Sequence, residues 1–300
     1  MLTEKLVSLR GIKVRSQNIR IGLIAFVLLS FAVISNAHDG WIQTNASRIC
    51  TGDMVYIDMQ FGNHGNTHRD YKIYGSKWDI TKSTFTLYTP RGAAINLIDS
   101  VIDVGVDETK AAGGVTYIDK NGYLVASFIP KEFGIYIADV RQDMVVSYAP
   151  ERSIKCAKAI VGSVPSTMGN YRASLRGYDA IFGQVLEIIP LDEPTDLAVG
   201  DTLHVQVLYK GAPLRDAHLA VIPRGKTLPP LGEENPYDLM TDMYGKASFT
   251  FDEANYHLLV VHVDTAESGS LDGKDYTQTK YAATMTVIVK PTITVIVKPK

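Results

Sequence analysis

The chain has 300 residues, 46% hydrophobic and 21% charged, with 24 Gly, 13 Pro and a formal net charge of −2. This is an ordinary globular composition with enough length for two compact domains, and it excludes global disorder, collagen and coiled coil. Residues 1–37 hold five basic side chains and one acidic one. The body that follows is therefore mildly acidic and offers no basic face to nucleic acid.

Ile21 to Ile34 is an apolar run of 14 residues behind that basic stretch, short of the roughly 20 that span a bilayer. Ser35-Asn36-Ala37 places small residues at the −3 and −1 positions, so residues 1–37 read as a secretory signal peptide cleaved after Ala37. An uncleaved signal anchor is the alternative. No twin arginine occurs and no cysteine follows the run closely, which disfavours a Tat signal and a lipid anchor. The body is expected in the periplasm or secreted, with no membrane span after cleavage.

Beyond the signal the hydrophobic period is two. In Met54–Phe61, Val55, Ile57, Met59 and Phe61 share one face, as in a half-buried strand. Strands are also predicted at Thr84–Tyr88, Tyr123–Phe128 and Gly134–Val140, and Asp119-Lys120-Asn121-Gly122 reads as a hairpin turn joining Val115–Ile118 to Tyr123–Phe128. Gly162, Pro165, Gly169 and Gly177 break the pattern between Ile160 and Gly183. Strands then follow at Val185–Ile189, Leu203–Tyr209, Ala217–Ile222, Ala247–Phe251, Leu258–Val263 and Tyr281–Val289. The spacing predicts an all-β protein of two β-sandwich domains, 38–175 and 183–291, the second immunoglobulin-like. Residues 292–300 carry a second copy of Thr284–Pro291, changed only at Met285/Ile293, and read as a duplicated tail. Two cysteines, Cys50 and Cys156, are either a disulfide or two separate thiols.

No GxSxG, P-loop, GxGxxG, HExxH or CxxC motif is present, which argues against an enzyme. The seven histidines are the informative polar set. Cleavage after Ala37 would make His38 the first residue, offering an α-amine and a ring nitrogen to one metal ion. His64 lies in a Gly-Asn loop after the first strong strand; His68, nearby, reads as a solvated loop residue. His262 shares a face with Leu258 and Val260 by alternation, so it points inward or to a junction. His204 falls on the polar face of its strand, while His218 and His257 have no distinguishing context.

His38-Asp39-Gly40-Trp41, the strand ending Phe61-Gly62-Asn63-His64, Gly183–Leu191, Gly200-Asp201-Thr202-Leu203, Tyr209–Leu214, Thr241-Asp242 with Gly245, and Tyr281–Thr284 together resemble a family. It is the exported two-domain β family of unknown function associated with nickel and cobalt uptake, the NikK-like periplasmic accessory proteins. The resemblance covers nearly the whole mature chain and is strongest from Gly183 to Val289. It implies metal binding or delivery to inner-membrane metal transporter components, with ligands at His38, His64 and His262 and Ni(II) or Co(II) as the metal; Cu(II) and Zn(II) also suit such donors. The chain departs from the family's Phe-Gly-His loop by an inserted Asn63. Two rival readings stand beside this one: a β-sandwich interaction or adhesion module without a metal, and a copper-dependent oxidase with an N-terminal histidine brace.

Overall fold

The computed structural model describes residues 38–64, 69–73, 77–112, 114–120, 122–166 and 174–292. The expected signal peptide, His68 and residues 293–300 of the tail lie outside the described residues, as does the side chain of His64. The protein is all-β, and no α-helix occurs among the described residues.

A nine-stranded sheet forms the middle layer. Its strands run in the order Asp238–Met240, His218–Pro223, Tyr256–Thr265, Gln278–Ile288, Glu151–Val164, Gly134–Val145, Ser83–Tyr88 and Ala94–Asn96, with Arg48–Cys50 also pairing Glu151–Val164. One face is covered by a six-stranded sheet that includes Asp39–Thr44, Val55–His64, Arg69–Ile73 and Tyr123–Phe128. The other is covered by a four-stranded sheet built on Leu186–Pro190, Thr202–Tyr209 and Lys246–Thr250.

The alternation of each central strand decides which layer its side chains meet. From Glu151–Val164, Ile154, Cys156 and Ile160 join a core with Leu186, Ile188, Val205 and Val207 of the four-stranded sheet. The intervening Ala157, Ala159 and Val161 face Ile42, Ile57, Met59 and Phe61 of the six-stranded one. Strands buried on both faces are apolar throughout rather than alternating, and Leu258–Val261 reads that way because it lies in the middle layer. Glu151–Val164 and Gln278–Ile288 run parallel, from Glu151↔Gln278 to Ala159↔Thr286. Strands assigned by sequence to two domains thus share one sheet.

Two expectations fail. Val115–Lys120 pairs back with Asp107–Ala112, while Tyr123–Phe128 pairs with Val55–Gln60 and with Ile102–Asp103. The proposed hairpin therefore does not form: a strand takes the partner that buries its apolar face, and Leu124 and Ala126 find that partner in Ile57 and Met59. The break expected from Ile160 begins only after Val164, since Ile160–Val161 belong to the buried middle of a long strand.

Cys50 and Cys156 are separate thiols. Cys50 pairs with Val164, eight residues along the strand from Cys156, and eight residues of strand span roughly 26 Å. A disulfide needs Cα atoms within about 7 Å. Burial also pushes the Cys156 thiol up to about 12, so it stays protonated and inert. Alkylation of denatured, non-reduced protein should label both cysteines, and a mass spectrum showing neither labelled would contradict the register.

Candidate metal centre

Asp39–Thr44 is the strand that builds the site. It pairs antiparallel with Val55–His64, from Asp39↔Gly62 to Thr44↔Ile57, and also lies flat on the central sheet. Thr284 Oγ1 donates to Gly40 O at 3.0 Å and Thr286 Oγ1 to Ile42 O at 2.7 Å. Both threonines sit on a central strand where only a hydroxyl, not a valine, could satisfy the overlying carbonyls. Gly40 is required here because a Cβ would fall 2.3 Å from the Trp78 ring. Trp41, fully buried, donates Nε1–H to Gln60 Oε1 at 2.8 Å. Asp39–Thr44 is therefore held by both the six-stranded and the central sheet.

That anchoring carries Asp39 to His262. His262 Nε2 lies 3.0 Å from each Asp39 carboxylate oxygen, across 223 residues of sequence. Asp39 is 1% exposed and the His262 side chain 31%. Burial works against the charged imidazole, but the adjoining Asp39 charge and hydrogen bond outweigh it, and the His262 pKa is raised. His38, next in the chain, packs its ring against Phe61 at 6.0 Å between centroids. Burial and then the Lys155 charge push its pKa down, against a smaller upward pull from Asp39. Lys155 is buried; its Nζ donates to Ser153 Oγ at 2.5 Å and stands 5.4 Å above Phe61. Burial drives its pKa down too, against the opposing charges of Asp39 and Glu151.

Of the three ligands that the resemblance implies, His262 pairs with Asp39, the residue that follows His38 in the chain. The pairing Asp39↔Gly62 brings the backbone end of the His64 strand to the same corner. The inserted Asn63 is accommodated as a register shift between Gly62↔Ile73 and His64↔Arg69. The other histidines separate by environment. His204 is exposed, as its alternation predicts, with Nδ1 2.7 Å from Asp192 Oδ2. His257 is wholly buried, its ring 4.8 Å from that of Phe251. His218 stands at the sheet edge beside Asp238.

The even 3.0 Å spacing of His262 Nε2 from both Asp39 oxygens is that of a hydrogen-bonded ion pair. Among the described residues no three His, Cys, Asp or Glu side chains form a group that could hold a metal. The corner supplies two side-chain donors with His38 alongside. Asp39 was legible in the sequence only as the neighbour of His38. Lys155 was not legible as part of the corner, because its position depends on strand pairing.

Fold and corner together define an all-β sandwich protein in which the strand Asp39–Thr44 presents an aspartate to a distant histidine. Residues 35–265 match the domain of unknown function DUF4198, and the chain belongs to that family. No curated protein matches it. Among solved structures, the chain is similar to the D0-D1 domain of intimin (11% identity, 84% of this chain and 100% of that one, TM-score 0.22). It is also similar to murine CEACAM1b (8% identity, 85% and 100%, TM-score 0.21). A DUF4785 family protein from Legionella pneumophila is similar over 73% of this chain and 52% of its own length, at 12% identity and TM-score 0.23.

Proposed function

We propose that this protein is an exported, non-catalytic transition-metal binder that delivers Ni(II) or Co(II) to an inner-membrane uptake system from the periplasm. The observation that carries the reading is the His262–Asp39 pair, formed one residue along the chain from His38. Export with cleavage after Ala37 would free the His38 α-amine one residue from Asp39, and a metal drawing the His38 amine and ring onto the pair would have an N-rich donor set completed by one carboxylate. Such a set suits Ni(II), Co(II), Cu(II) or Zn(II). The association with nickel and cobalt uptake rests on the sequence resemblance. The lowered His38 pKa favours the reading, since a ligating imidazole must be unprotonated.

Isothermal titration of the mature protein with Ni(II) and Co(II), beside a variant carrying one extra residue ahead of His38, tests it. The extension turns the α-amine into an amide and leaves every side chain in place. Affinity should fall about a hundredfold with the extension, and about tenfold or more in His262→Ala. His204→Ala should bind as the unaltered protein does. Equal binding by the extended and authentic proteins would overturn the terminal chelate. Intact mass of the exported protein should begin at His38, and a retained Met1 would overturn both export cleavage and the chelate.

A further inference from the structure

Lys158 lies within the central strand Glu151–Val164, on the face whose Cys156 and Ile160 enter an apolar core. A lysine is almost never found there unless it is paired. Its Nζ is 2.8 Å from Glu187 Oε1 of the four-stranded sheet, and both side chains are 1% exposed. The Phe182 ring, stacked on Tyr88 at 4.0 Å between centroids, stands 5.4 Å from the same nitrogen. An amine and a carboxyl group are thereby held in contact and out of water.

A third group faces this pair. Asp139 is directly opposite Lys158 in the antiparallel ladder, so both side chains project to one face with Cβ atoms about 5 Å apart. Asp139 is buried and fixed by two donors, Gln184 Nε2 at 2.6 Å and Arg141 Nη2 at 2.7 Å. Glu187 in turn accepts the backbone N–H groups of Phe182 at 2.9 Å and Gly183 at 3.1 Å. Two such donors stabilise negative charge that develops on carboxyl oxygens under nucleophilic attack. Burial lowers the Lys158 pKa against the opposing charges of Glu187 and Asp139, which favours the unprotonated amine.

We propose that Lys158 and Glu187 join in an intramolecular amide bond, a covalent tie between the central and four-stranded sheets, with Asp139 carrying the proton. Proton transfer across the 2.8 Å contact turns the ammonium and carboxylate into an amine and a carboxylic acid. The Lys158 Nζ lone pair then attacks Glu187 Cδ and forms the C–N bond, while Asp139 takes a proton from the nitrogen. Asp139 returns that proton to the leaving hydroxyl as the C–O bond breaks, and one water departs. The sum is amine plus acid giving amide plus water, with no oxidant, cofactor or activated acyl group. Contact between the two groups replaces a bimolecular encounter, and their burial keeps out the water that would reverse the step. The ion pair is the reactant state. Substituting either residue alone strands the other as a buried charge whether or not the bond forms in the unaltered protein.

The test is mass spectrometry of the denatured protein and of its tryptic digest, with circular dichroism showing that each variant folds. The protein should be lighter by one water than its residues sum to, and trypsin should fail to cut after Lys158. A branched peptide should join the Lys158 and Glu187 segments. Lys158→Arg, which keeps the cation, and Asp139→Asn, which keeps the shape, should each retain the full mass and give linear peptides only. Glu187→Gln should give the same branched peptide, with ammonia lost in place of water. Full mass in the unaltered protein, with cleavage after Lys158, would overturn the proposal. So would loss of water without the branched peptide, which would mark a cyclisation elsewhere in the chain. A branched peptide at undiminished yield in Asp139→Asn would overturn the role given to Asp139.

Discussion

Lys158→Ala and Glu187→Ala are each expected to destabilise the protein by about 3–5 kcal/mol, the usual cost of stranding one charge of a buried pair. Both side chains are 1% exposed and their Nζ and Oε1 atoms are 2.8 Å apart, between the central and four-stranded sheets. Glu187 also accepts the backbone N–H groups of Phe182 at 2.9 Å and Gly183 at 3.1 Å, while Lys158 Nζ reaches Ile188 O at 3.3 Å. Removing the lysine leaves a carboxylate with two amide donors and no counter-charge. Removing the glutamate strands an ammonium whose pKa burial already lowers. Replacing both residues together by Met and Leu should cost far less than either single change, because no charge is then left unpaired. Urea unfolding of the three variants measures this. A double variant as unstable as the sum of the singles would show that the two charges act independently and would overturn this expectation.

Acidification should weaken the fold through His257. This ring is fully buried among Phe249 and Phe251, both its nitrogens lack hydrogen-bond partners, and burial pushes its pKa down to about 4. The folded state thus favours the neutral ring, whereas the unfolded chain binds the proton near 6.5. The contribution to stability is complete above pH 6.5 and is lost as pH falls toward 4. The total is about 3 kcal/mol for a shift of this size. His257→Leu should remove that slope and raise stability at pH 4 relative to the native side chain, because an apolar group leaves no buried nitrogen unpaired. Chemical denaturation from pH 7.5 to 4 reads both effects. Parallel pH curves for the two proteins would refute the assignment.

Pairwise alternation was legible in the sequence because it depends only on a strand having one buried face. Val55, Ile57 and Met59 are wholly buried and Tyr56 is exposed, as their period requires. The same rule placed His262 with Leu258 and Val260 toward a junction, and His204 outward. Gly245 sits at a turn, with φ 71°, and a Cβ there would fall 2.6 Å from Val207 O. The limit is reached where a strand is buried on both faces. Alternation vanishes, and with it any signal for which layer each side chain meets.

By itself the sequence determined an all-β chain, the inward faces of its strands and the interest of His38 and His262. Tertiary structure alone decided the partners. It joined Glu151–Val164 to Gln278–Ile288 in one sheet, sent Tyr123–Phe128 to Val55–Gln60 instead of its chain neighbour, and kept Cys50 and Cys156 apart. It also set Asp39 against His262 and Glu187 against Lys158. The physical reason is that side-chain period is a local property of the backbone. Strand order and register instead follow from which apolar faces can be buried against each other, and that depends on residues hundreds of positions apart.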